Sequence, residues 1–137
     1  MSKMAPRPEV ETDSAPKSVM VVDDDAVIRM VLAESMRDAG LHVIEASCSA
    51  DAIGYLQSGA PVDLIFSDIQ MAGPLDGLHL AHQVRAMAPT LPMIFTSAGP
   101  KPAALTDAEI FVGKPYRLDH VVATVTKNLD ATGSGIK

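Results

Sequence analysis

Within VMVVDDDAVIRMVLAESMRDAGLHVIE, Val19 to Glu45, three elements follow one another. Val19 to Val22 is a short apolar run dominated by valine, as a buried strand requires. From Ala26 to Ala39, the positions Ile28, Val31, Leu32, Ser35 and Ala39 recur at helical spacing, and Gly40 supplies a C-terminal stop. Leu41 to Glu45 is a second strand. Strand, helix and strand in so short a span describe a right-handed crossover between parallel neighbours. The stretch also poses a chemical problem. Asp23, Asp24 and Asp25 stand side by side where the chain leaves a buried strand. Like charges so placed repel and need something to offset them.

The alternation continues along the chain. A short helix is expected over Ala50 to Gln57, capped by Ser47 or Ser49, with Gly59 beyond its end. Val62 to Ser67 is almost continuously apolar, as a strand covered on both faces should be. Asp76 to Ala88 reads as a helix with Leu80, Ala81, Val84 and Met87 inward. Pro92 to Thr96 is a fourth strand and Glu109 to Val112 a weak fifth. Leu118 to Leu129 is a final helix with Leu118, Val122, Val125 and Leu129 on one side. The fold class is therefore α/β, a doubly wound five-stranded parallel sheet with about five helices. The flavodoxin-like order 2-1-3-4-5 is taken from folds of this size, since the pattern alone does not rank the strands. Residues 1–17, with three prolines and few large apolar groups, are expected to be a disordered leader. Residues 18–130 form the domain, and 131–137 a frayed end.

Totals narrow the function. A chain of 137 residues suits one core. A net charge of −6 argues against a nucleic-acid surface, which needs basic residues. No apolar run approaches membrane-spanning length and no signal-peptide segment opens the chain. The lone Cys48 excludes an internal disulfide and fits a reducing compartment, so a cytoplasmic protein is expected. His42, His79, His82 and His120 show no metal-ligand spacing with Cys48 or one another.

In the expected order, Asp23 and Asp24 end strand one, Asp68 ends strand three, Thr96 ends strand four and Lys114 follows strand five. All then meet in one crevice beyond the carboxyl ends of the strands. Acids gathered there suit a hard divalent cation, Mg²⁺ or Mn²⁺. An Asp carboxylate can serve as nucleophile in phosphoryl transfer, while a lysine and a hydroxyl stabilise the transferred oxygens. Asp68, Lys114 and Thr96 fit those roles.

The segments VMVVDDD, LIFSDIQMAGPLDGL, MIFTSA and FVGKPY, in that order, resemble the receiver domain of two-component response regulators. The resemblance spans about Ser18 to Asp130. It implies that Asp68 takes a phosphoryl group from a histidine kinase or histidine phosphotransferase. It also implies that Asp24 and Asp68 ligate Mg²⁺ directly, Asp23 does so through water, and Gln70 lends its backbone carbonyl. Thr96 and Lys114 would hold phosphoryl oxygens, and Lys114–Pro115 would be cis. Thr96 and Phe111 would form the switch, with Phe111 where many members carry tyrosine. The expected protein is a stand-alone, non-enzymatic regulator, monomeric or weakly dimeric, that signals to a protein partner and binds neither nucleic acid nor membrane.

Besides Phe111, the chain departs from the family in three places. Ala72 stands where proline is usual. The run from Asp68 to Asp76-Gly77 is one residue longer than in the chemotaxis regulator. Thr96 to Lys114 is shorter and carries Pro100 and Pro102, so the family's fourth helix should be truncated or replaced by loop. Two rival readings stand beside the receiver. DDDAV also resembles the nucleophile motif of haloacid-dehalogenase-type phosphatases, with Asp23 as nucleophile and Asp25 as acid–base. That reading leaves Asp68 without a role. A receiver-like interaction module without phosphorylation is the other, and the intact Asp, Thr and Lys set argues against it. Asp25 alone is read as a helix cap.

Overall fold

The structure is a computed structural model and describes residues 16–72, 76–106 and 109–135. The expected leader lies almost wholly outside those residues. The strands are β1 (Ser18–Val22), β2 (His42–Ala46), β3 (Leu64–Asp68), β4 (Met93–Ser97) and β5 (Ile110–Gly113). The helices are α1 (Ala26–Asp38), α2 (Ser49–Gln57), α3 (Gly77–Met87) and α4 (Leu118–Gly135). The sheet order is β2-β1-β3-β4-β5, and every neighbouring pair is parallel. The sheet is thus the flavodoxin-like one expected.

β1, β3 and β4 are buried along their whole length. That is why they read as continuous apolar runs rather than alternating ones. Alternate residues feed two cores. Val19, Val21, Leu64, Phe66 and Ile94 pack beneath α1 and α4 with Leu32, Val121 and Val125. Met20, Ile65, Met93 and Phe95 pack beneath α2 and α3 with Ala52, Leu80 and Val84. Gly40 and Gly59 follow α1 and α2 at φ of +92° and +84°, a backbone region that suits glycine.

Several helix faces differ from expectation. In α1 the buried residues are Leu32, Ala33 and Met36, while Val31 and Ala39 are exposed. In α3 Met87 is exposed, although Leu80, Ala81 and Val84 are buried as expected. In α4 the buried set is Val121, Val125 and Leu129, and Leu118 is exposed. The three- and four-residue spacings fit two adjacent faces, and the residues at two helix ends, Met87 and Leu118, turn to solvent. α2 is capped by Cys48, whose Sγ accepts from the Asp51 N–H, and not by Ser47 or Ser49. α4 runs to Gly135, past the expected Leu129.

The connection from β4 to β5 contains no helix among its described residues 98–106. A polar knot fastens it instead. The Arg85 guanidinium of α3 donates to both oxygens of the buried Glu109, at 2.8 and 2.7 Å, and to the Ala104 carbonyl at 3.3 Å. Glu109 also accepts from the Thr106 N–H and hydroxyl. Leu105 is buried in the core beneath α2 and α3.

Candidate functional site

Because all five strands run the same way, their carboxyl ends share one edge. Asp23 follows β1 directly, Asp68 ends β3, and Thr96 pairs in register with Asp68 on β4. Lys114 follows β5, and its N–H donates to the Ser97 carbonyl at 2.9 Å. One carboxylate oxygen each of Asp23, Asp24 and Asp68 lies within 4.8 Å of the others. Asp23 and Asp68 are buried, and Asp24 is exposed. Three hard oxygen donors this close fit a divalent cation.

The hydrogen bonds around the acids come mostly from backbone. The Asp25 N–H donates to Asp23 Oδ1 at 2.9 Å, and the Gln70 N–H to Asp68 Oδ1 at 3.1 Å. The Ala72 N–H donates to Asp24 Oδ2 at 2.7 Å, which folds the loop after β3 back onto the acids. Lys114 Nζ lies 3.1 Å from Asp68 Oδ2 and faces the site as its cation. Burial pushes the Asp23 carboxyl above its ordinary value. The Asp25 amide and Lys114 work against that rise, while the charges of Asp68 and Asp24 add to it. The site thus holds more negative charge than its own groups offset.

Thr96 is fully buried, and its Oγ1 has no hydrogen-bond partner. Buried hydroxyls are nearly always bonded. A buried, unpartnered hydroxyl on the strand beside Asp68 suits an incoming acceptor oxygen. The Lys114–Pro115 bond is cis. Tyr116 stands beside it with its ring at 88° to that of Phe66, centroids 6.3 Å apart. Burial raises its phenol pKa, and the Asp23 and Asp68 charges raise it further.

The start of α3 packs tightly against Asp68. The Asp76 carboxylate caps the helix through the Leu78 and His79 amides, and the Gly77 N–H donates to the Ile69 carbonyl. A Cβ at Gly77 would stand 2.5 Å from the Asp68 carbonyl oxygen and 2.7 Å from Ile69 Cα. Only glycine fits there without backbone movement. Ser49, fully buried, donates to the Asp76 carbonyl at 2.8 Å and ties α2 to the same junction.

Asp23, Asp24, Asp68, Thr96 and Lys114, singled out from sequence, gather at one edge of the sheet. Gln70 is there through its N–H. Phe111 is not: it is half-buried on β5, packed against the core that holds Leu105 and Phe95. Asp25 caps α1 by accepting from the Val27 and Ile28 amides at 3.0 and 3.1 Å. That occupies the carboxylate which the phosphatase reading needs as acid–base. Arg29, not singled out from sequence, donates to the Asp23 carbonyl at 2.8 Å. Its signal was a lone cation among apolar residues one helical turn beyond Asp25. Among the described residues no helix is long and apolar enough to cross a membrane.

Comparison with known proteins agrees with this geometry. The family model described as response regulator receiver domain matches residues 19–126. The DNA-binding transcriptional regulator NtrC of Escherichia coli K12 is 36% identical over 114 residues, 80% of this chain but 24% of that protein. The chain thus matches about a quarter of that relative's length. The crystal structure of a response regulator receiver protein from Sinorhizobium medicae superposes with a TM-score of 0.78 at 27% identity, covering 86% of this chain and 98% of that one. The receiver domain of the hybrid histidine kinase CckA gives 0.71 at 27% identity, covering 82% and 98%.

Proposed function

The chain belongs to the response regulator receiver domain family, and from that premise we propose that Asp68 accepts a phosphoryl group from a histidine kinase or histidine phosphotransferase in a Mg²⁺-dependent reaction. The observation that carries the reading is the meeting of three carboxylates, one lysine and one unpartnered buried hydroxyl at the strand ends. An oxygen of the Asp68 carboxylate attacks phosphorus in line. The new P–O bond forms as the P–N bond to the donor imidazole breaks, and the electron pair leaves with the imidazole nitrogen. Lys114, already at 3.1 Å from Asp68, neutralises a phosphoryl oxygen, and the Thr96 hydroxyl donates to another. Asp24 and Asp68 would hold Mg²⁺ directly, with Asp23 through water and Gln70 by its carbonyl. When bound, the ion offsets the crowded negative charge and that of the phosphoryl oxygens.

The phosphoryl group then adds charge and acceptor oxygens at Asp68. Thr96 moves to bond it, and Phe111 repacks against Leu105 and its neighbours. This shifts the balance between two packings of the face around β4 and β5, which a protein partner reads. The test is incubation with a small phosphodonor and Mg²⁺, reductive trapping, and peptide mass spectrometry. Label on Asp68 is expected. Label on Asp23 would favour the phosphatase reading, and absence of label in a folded protein would leave an interaction module.

A further inference from the structure

We propose that Arg29 is a positioning residue for the acidic site: held by Glu45, its guanidinium fixes the Asp23 carbonyl, and so fixes the turn that presents the Asp23 and Asp24 carboxylates. The inference rests on reading those acids as a divalent-cation site.

Arg29 lies in the first turn of α1 with its side chain mostly buried. Nη1 donates to the Asp23 carbonyl at 2.8 Å, and Nε donates to Glu45 Oε1 at 3.2 Å. Glu45 pairs with Val21 across the β1–β2 register, and its other oxygen accepts from Arg37 Nη2 at 3.3 Å. The guanidinium is thus braced from β2 before it reaches the site. On the other side of the same residue, the Asp23 N–H donates to the Ala46 carbonyl at 3.1 Å. The peptide groups before and after Asp23 are therefore both anchored. The direction in which Asp24 leaves follows from the second anchor.

Arginine suits this task because its planar fork can donate to two acceptors at once, which a lysine ammonium on its flexible stem does less well. Two roles for the residue predict opposite signs. If Arg29 acted through its charge, it would repel a bound cation, and its removal would tighten binding. If it acts by holding the carbonyl, its removal loosens the donor set and weakens binding. The geometry favours the second. The contact is with a carbonyl and not with a carboxylate of the site, and the guanidinium's charge is already paired with Glu45.

The test is Mg²⁺ affinity by isothermal titration calorimetry for the wild type, Arg29→Ala, Glu45→Ala and the double variant, with metal-free urea unfolding alongside. Groups that orient metal ligands typically change affinity by about ten- to a hundredfold, so Arg29→Ala should weaken binding about tenfold. Glu45→Ala should weaken it less, and the double variant no more than Arg29→Ala alone, because both changes act through one contact. Affinity equal to or tighter than wild type in Arg29→Ala would overturn the inference. Should that variant not fold, Glu45→Ala carries the test, and unchanged affinity there overturns it equally. A wild type that binds no Mg²⁺ overturns the cation-site reading as well. Wild-type binding undiminished in the variants overturns this inference alone.

Discussion

Two buried acids in this molecule live under opposite conditions. Glu109 faces a bidentate arginine and two donors of Thr106, which hold its carboxyl well down, at about 2. Asp23 is just as buried, yet its carboxyl is pushed up, and its nearest acidic neighbours add to the rise. One acid is fully answered by its surroundings and ties down a connection. The other is left in deficit beside Asp24 and Asp68. Burial alone therefore does not mark a site. What separates the two is whether the protein itself supplies the compensation or leaves it to something that binds.

Removing the compensation at the knot should have the largest effect. Arg85→Ala strands a buried carboxylate and should cost about 3 kcal/mol in urea unfolding. A loss well under 1 kcal/mol would mean that Glu109 does not depend on its partner, and the contrast would collapse. The two acids should also give opposite pH slopes. Glu109 is held below its ordinary 4.5 at about 2, so its contribution is complete above the higher value and is lost as pH falls toward the lower. Over that window it amounts to about 3 kcal/mol. Asp23 is raised above 3.8, so its ionisation opposes folding, and stability should decline as pH rises beyond that value. Urea unfolding between about pH 2 and pH 7 should lose the first slope in Glu109→Gln and the second in Asp23→Asn.

Gly77→Ala comes next. Its Cβ would press on backbone at Asp68 and Ile69, where no side chain can yield. About 2 kcal/mol of destabilisation is expected in the same assay, together with slower phosphorylation. Asp68→Asn should change stability by less than about 1 kcal/mol without Mg²⁺, since the lost Lys114 pair is offset by relieved repulsion on Asp23. It should abolish phosphorylation outright. A strong fall in its metal-free melting temperature would show that the site is not in deficit. The subtlest test adds beryllofluoride with Mg²⁺ and follows amide shifts. Changes reaching Phe111 and Leu105 are expected, and changes confined to the acids and Lys114 would sink the switch.

The same contrast explains what could be read from sequence. The strands were legible because parallel strands covered on both faces are short apolar runs, and the acids were legible because each sits where such a run ends. Topology then places all carboxyl ends on one edge. The knot was not legible. Glu109 looked like the first residue of a weak strand, and nothing in the chain marks Arg85, many residues earlier, as its partner. Leu105 lay in a stretch whose prolines said only that helix was disfavoured. Ser49 fitted the expected cap and instead bonds Asp76, which leaves capping to the weaker thiol of Cys48. These misses are pairings across the fold rather than local preferences.

In the proposed switch, the unpartnered hydroxyl of Thr96 makes one contribution to the signal. A polar group sealed from water without a mate raises the energy of the resting form by about 1–3 kcal/mol. That sum is refunded when an oxygen arrives to receive the hydrogen. A contribution of that size would shift a two-state balance by roughly 5- to 150-fold. Thr96→Val, which removes that hydroxyl, should therefore narrow the difference between the two proposed forms, read as smaller beryllofluoride-induced amide shifts at Phe111.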